Sequence, residues 1–171
     1  MLLPLLVALG AVSSPASAGG TSSPADCTHL PPPPVTGATP NDNRTRAGVL
    51  RDGVLTVRLV ARRVAWRPDG PSGCALSVNG FAEGGKTPTV PGPLVRVTTG
   101  TRVHATVRNA LPTPLWVRGL HDRSAGLSID SVEVMPGGTR EFDFVASAPG
   151  GWFYWAGSAG SNGPTSSTSS T

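Results

Sequence analysis

Helix-forming material is what this chain of 171 residues has least of. No long stretch repeats apolar residues at helical spacing, and Gly (22) and Pro (18) are spread through its length. That excludes a helical bundle. Charge is sparse: fourteen basic and ten acidic residues give a net +4. The basic residues are scattered, with Arg62-Arg63 the densest spot. No aromatic residue interleaves with that doublet, which argues for a solvated surface and against a nucleic-acid face. There are two cysteines, Cys27 and Cys74, and neither sits at a metal-type spacing. The three histidines, His29, His104 and His121, form no pair at ligand spacing.

Nucleophilic enzymes are equally poorly served. No Gly-x-Ser-x-Gly elbow occurs, and no His and Asp are placed to complete a triad. Asp130 and Glu133 make no evident carboxylate pair. Gly84-Gly85-Lys86-Thr87 resembles the end of a phosphate loop but lacks the upstream Gly and the following helix.

What is present begins with an apolar leader. Residues 1–12 are almost wholly apolar, and Ala16-Ser17-Ala18 follows as a small-x-small cleavage site. The run is too short to span a bilayer, so residues 1–18 read as a secretory signal peptide, although no Lys or Arg precedes the run. The expected location is secreted or periplasmic, with no membrane span once the signal is removed. Pro24-Ala25-Asp26 is the wrong context for lipid attachment at Cys27. In an exported protein a single disulfide is the natural use of two cysteines, here tying the N-terminal arm to a loop. Residues 19–47 carry Pro31-Pro32-Pro33-Pro34 and few large apolar side chains, and read as an extended linker with little reason to pack.

Short alternating segments between Gly/Pro turns then predict an all-β sandwich or barrel. Val54 to Trp66 is the first strand or strand pair, with Leu55, Val57, Leu59 and Ala61 facing inward. Residues 71–88 read as a Gly-rich connection containing Phe81-Ala82-Glu83. Pro91-Gly92-Pro93 is a rigid turn into an apolar segment at 94–97. Residues 102–108 alternate without a break: Val103, Ala105 and Val107 on one side, and Arg102, His104, Thr106 and Arg108 on the other. Strands are also expected over 115–120, 128–134, 140–146 and 152–158. Phe142 and Phe144 share a face of the 140–146 strand. Residues 161–171 read as a disordered Ser/Thr-rich tail.

Several of these turns come in a familiar order. Pro91-Gly92-Pro93, then Arg108-Asn109-Ala110-Leu111-Pro112, then Trp116-Val117-Arg118-Gly119-Leu120-His121 resemble the N-terminal plastocyanin-like domain of the multicopper oxidases, the laccase-like family. Ala148-Pro149-Gly150 followed by Trp152-Phe153-Tyr154-Trp155 is similar to that family's Pro-Gly-Thr-Tyr-Trp-Tyr-His-x-His strand. The resemblance implies a Greek-key cupredoxin-like β-sandwich over residues 48–160, with its closing strand lacking. A fragment of a longer reading frame and a domain that lives with an unpaired sheet edge are the two ways to read that end.

In the family, two His-x-His pairs hold copper, because residues at i and i+2 of a strand aim to the same side and a neutral imidazole offers a lone pair. Carried over, the first pair falls on Trp116 and Arg118 and the second on Ala156 and Ser158. None of these is a copper ligand. One strand has gained bulk and the other lost it, so Trp116 and Arg118 are expected to fill the space left at Ala156 and Ser158. His104 is expected at the solvent, and His121 at a position that is not normally a ligand. Two functions follow. One is a multicopper-oxidase-type N-terminal domain, a fragment or degenerate copy unable to hold copper by itself, with further cupredoxin domains of a longer protein as partners. The alternative is a non-catalytic exported module that keeps the sandwich for binding or structure.

Overall fold

The computed structural model of the protein describes residues 27–122 and 131–158. The signal peptide, the first part of the linker, Ser128, Ile129 and Asp130 of one expected strand, and the 161–171 tail lie outside the described residues. Ten strands follow in chain order: β1 (Thr39–Pro40), β2 (Val49–Arg51), β3 (Val54–Trp66), β4 (Leu76–Glu83), β5 (Thr89–Val90), β6 (Arg102–Asn109), β7 (Leu115–Arg118), β8 (Ser131–Val134), β9 (Thr139–Val145) and β10 (Trp155–Ser158). The described residues contain no helix, as the composition requires.

The strands form two sheets. The larger runs β1-β5-β4-β3-β6-β9, with β2 paired to β3, and the smaller runs β10-β7-β8. Leu55, Val57, Leu59 and Ala61 of β3 and Val103, Ala105 and Val107 of β6 meet Leu115 and Val117 of β7 and Val134 of β8 in one buried cluster. The two sheets therefore pack face to face, and the alternation legible in β3 and β6 is the inner face of a sandwich. Leu55, Leu59 and Leu115 are fully buried, each contributing about 1.5–3 kcal/mol from area removed from water. After β6 the chain crosses to the small sheet for β7 and β8. It then returns to β9 beside β6, a Greek-key crossing. Phe142 on β9 is buried with the core and Phe144 packs against it, while Glu141, Asp143 and Val145 are on the other side.

Two regions differ from the sequence reading. The first is the linker. Ala38 donates to the Ala65 carbonyl at 2.8 Å, Ala65 donates back to Thr36, β1 pairs in parallel with β5, and Ala47 is buried in the core. Residues 36–47 are thus tied into the fold by main-chain pairing, although most of their side chains, like those of Pro31-Pro32-Pro33, stay exposed and only Ala47 is buried. Cys27 and Cys74 are bonded, with their Cα atoms 5.6 Å apart, which fastens the start of the arm to the loop after β3. The second is β4, a central strand in the supposed Gly-rich connection. Its partner register puts Val78, Gly80 and Ala82 opposite Val64, Arg62 and Val60. A Cβ at Gly80 would come within 3.0 Å of a Val64 methyl, so the glycine sits where a side chain would collide. That inward glycine breaks the apolar alternation and hides the strand.

Val64 and Ala82 are fully buried, yet neither belongs to the main cluster. They lie on the opposite face of the β3–β4 ladder. Here hydrogen bonding runs from β3 through β4, β5 and β1 and, by the Gly37–Ala65 bridge, back to β3. The long β3 therefore buries its odd face in the sandwich and its last even positions in a small ring of strands. At its start, Asp52 (φ 48°) and Gly53 (φ 76°) both adopt positive φ, the backbone of a two-residue hairpin turn of type I′.

Candidate metal centre

The small sheet carries the positions the resemblance singles out, so its register decides what they can do. Leu115 and Val117 are fully buried against the large sheet, which sends their neighbours Trp116 and Arg118 to the outer face. On β10 the antiparallel partners are Trp155 opposite Arg118, Ala156 opposite Val117, Gly157 opposite Trp116 and Ser158 opposite Leu115. Directly opposed residues share a face. Trp155 and Gly157 therefore stand with Trp116 and Arg118, whereas Ala156 and Ser158 share the inner face, where Ala156 packs against the core.

This corrects the carry-over by one residue. Counted from Pro149-Gly150, the His-x-His of the aromatic strand falls on Trp155 and Gly157, and the three aromatics before it fall on Trp152, Phe153 and Tyr154. Sequence matching slides here because Trp155 reads as part of an aromatic run rather than as the first position of a pair. The expected compensation fails with it: Trp116 and Ala156 lie on opposite faces, so the indole cannot fill space beside Ala156.

The outer face is organised around a guanidinium. Arg118 Cζ lies 4.9 Å from the centroid of the Trp155 ring, a cation–π stack. Its Nε is buried without a hydrogen-bond partner among the described residues. On the other flank, β8 sets Glu133 opposite Trp116 and Ser131 opposite Arg118. Glu133 is exposed, and its own carbonyl accepts from Arg140 Nε at 3.2 Å.

Two supports hold this sheet in place. Asn109, at the end of β6, is fully buried. Its Nδ2 donates to the carbonyls of Thr113 (2.8 Å) and Val134 (2.9 Å), and its Oδ1 accepts from the Leu111 amide at 2.9 Å. The Arg-Asn-x-Leu-Pro turn thus uses its Asn to join the β6 end, the β6–β7 turn and β8. Tyr154, leading into β10, donates its hydroxyl to the Pro93 carbonyl at 2.7 Å and tilts against Phe81 with ring centroids 5.4 Å apart. Burial pushes the Tyr154 phenol well above its ordinary value. A Cβ at Gly92 would stand 2.9 Å from that hydroxyl, so Pro91-Gly92-Pro93 needs its glycine for close approach to Tyr154.

The histidines are elsewhere. His104, half-buried on the outer face of β6, has Nδ1 3.2 Å from Asp143 Oδ2 on β9, and Arg102 lies 3.6 Å from the same carboxylate. His121 follows β7, with Nδ1 2.8 Å from the Asp122 carbonyl. His29 lies in the arm. No three His, Cys, Asp or Glu side chains among the described residues group closely enough to hold a metal ion.

No protein-family model matches the chain. A probable nitrite reductase-hydroxylamine oxidoreductase fusion protein of Kuenenia stuttgartiensis is 30% identical over 112 residues, covering 61% of this chain and 13% of that protein. Among solved structures, a multicopper oxidase from Campylobacter jejuni is similar over 70% of this chain and 25% of its own, at 14% identity and TM-score 0.46. A laccase from Pediococcus acidilactici covers the same shares at 20% identity and TM-score 0.42. The resemblance is to multicopper oxidases. The chain spans about a quarter of the length of those oxidases and 13% of the Kuenenia protein.

Set against the copper chemistry of multicopper oxidases, the donor atoms on this face do not fit. An indole nitrogen carries its hydrogen and only donates, a guanidinium has no lone pair to give, and glycine has no side chain. Arg118 would also repel a cation. Glu133 adds a single carboxylate at the edge, short of the three or four donors a protein-held copper requires.

Proposed function

We propose that this chain is an N-terminal domain of multicopper-oxidase type whose copper-ligand face has been rebuilt, so that it does not hold copper by itself. The observation that carries the reading is the side-chain set on one face of the small sheet: Trp116, Arg118, Trp155 and Gly157, with no metal donor among them. In the oxidase reading its partners are further cupredoxin domains of a longer protein, and the whole acts outside the cytoplasm. The fraction of relatives' length that the chain spans supports a multidomain setting.

A second reading, a non-catalytic exported module that keeps the sandwich for binding or structure, is favoured by the stacking of Arg118 on Trp155. That contact organises the face as a packed surface rather than as a vacated site. Copper quantification on the purified protein after incubation with excess Cu(II) and gel filtration tests the ligand argument. Far less than one equivalent is expected. Stoichiometric copper lost in a Trp155→Ala, Glu133→Ala double variant would overturn it.

A further inference from the structure

A cavity of about 370 Å³ lies away from the Trp116 face, between the extended segment at 94–97 and the chain leading into β10. Its size falls within the roughly 300–1,000 Å³ range of small-molecule sites. The wall is apolar, with Val95, Val97, Phe144 and Trp152 among its lining. His121 and Ser147 form a polar corner. The Ser147 hydroxyl donates to the Asp122 carboxylate, and the Tyr154 hydroxyl, also in the lining, donates to the Pro93 carbonyl. His121 Nδ1 faces the Asp122 carbonyl at 2.8 Å. A carbonyl oxygen only accepts, so Nδ1 carries the proton, and in the matching tautomer Nε2 is the nitrogen with a lone pair. Nε2 has no hydrogen-bond partner among the described residues.

We propose that this cavity binds a small apolar molecule bearing one N–H or O–H donor, which the molecule directs to His121 Nε2. The apolar wall supplies contact area, and the acceptor on His121 sets orientation. A ligand without a donor displaces water from that acceptor and leaves it unpaired, which is the source of selectivity in such a site. Arg96 in the lining disfavours a cation. The class is therefore non-cationic, mostly hydrocarbon, and singly donating.

Indole and indene make the test, because they share a shape and differ in the N–H. Each is titrated into the ¹⁵N-labelled full chain up to about 5 mM, the range in which a ligand of this size is expected to bind. Shifts of the backbone amides of Val95, Val97, Phe144 and Trp152 are the readout. Indole is expected to move these amides and to bind about tenfold more tightly than indene. His121→Phe is expected to reduce the ratio to within about twofold by removing the acceptor. Val97→Phe is expected to weaken both ligands by filling the space. Equal affinity of indole and indene for the wild-type chain, absence of shifts, or shifts confined to residues outside the cavity would overturn the proposal. The wild-type comparison needs no variant, so it decides between these outcomes even where a substituted chain fails to fold.

Discussion

Replacing Asn109 by Ala isolates the device that fastens the small sheet to the large one. The side chain is fully buried and makes three hydrogen bonds, all to main-chain groups of other positions: the carbonyls of Thr113 and Val134 and the amide of Leu111. Removing it strands the Val134 carbonyl and the Leu111 amide in buried surroundings, and the Thr113 carbonyl in a partly buried one. Each stranded group costs about 1–3 kcal/mol, and local relaxation or an entering water recovers part of that. The expected loss is about 3–5 kcal/mol, a large share of the stability of a domain this size. Urea unfolding at neutral pH checks it: the midpoint falls while the slope m is unchanged. Asn109→Asp sharpens the test. It keeps the acceptor for Leu111 but turns the donor toward Thr113 and Val134 into a second acceptor. The buried carboxyl then has a folded pKa raised above its unfolded value. Its relative stability is therefore greatest at low pH and is lost as pH rises through the folded pKa. An Asn109→Ala protein within about 1 kcal/mol of the parent would refute the reasoning.

Other consequences are open to simpler measurements. Gly92→Ala puts a methyl 2.9 Å from the Tyr154 hydroxyl and 3.4 Å from Phe81 Cβ. It is expected to cost about 1–3 kcal/mol in thermal unfolding, and less in a Tyr154→Phe background, where the hydroxyl is gone. Glu83 is pulled up by partial burial, but its contacts with Lys86 at 2.9 Å and the Gly48 amide at 2.8 Å outweigh that and hold the carboxyl below its ordinary value. The stability it adds is present above the unfolded carboxylate pKa and lost as pH falls through the folded one, so Glu83→Gln should lower stability at pH 7 and much less at pH 3. Cys27 and Cys74 are separated by 47 positions, and in the chain-entropy model their bond stabilises by up to about 4 kcal/mol. Replacing both with Ser should lower the urea midpoint toward that limit, and an unchanged midpoint would show that the arm is held by β1 alone.

How much was legible in advance depended on whether one residue type could hide a pattern. β6 was plain because Val103, Ala105 and Val107 alternate without interruption, and β3 was plain through Ala61 for the same reason. Beyond Ala61 the buried side of β3 switches to Val64, which a single-face pattern cannot express. β4 was hidden by Gly80, whose lack of a side chain is itself a packing requirement against Val64. The arm looked unstructured because main-chain hydrogen bonds from Thr36, Ala38 and Thr39 leave little trace in side-chain composition. At the candidate metal centre, motif order alone singles out Trp116 and Arg118, and the structure places both on the outer face of β7. For the other half, a count from Pro149-Gly150 points to Trp155 and Gly157 rather than Ala156 and Ser158, and the cross-strand register sets Trp155 and Gly157 on the outer face. A one-residue slip reverses every side chain on a strand, which is why the two counts lead to opposite faces.

The Gly37–Ala65 bridge has an effect on the protein's behaviour in company. Through it the Ala65 amide and carbonyl, near the tip of β3, already have partners inside the molecule, in Thr36 and Ala38. A neighbouring chain cannot use those two groups as the start of a ladder, so cutting the arm before Thr39 would free them for pairing between molecules.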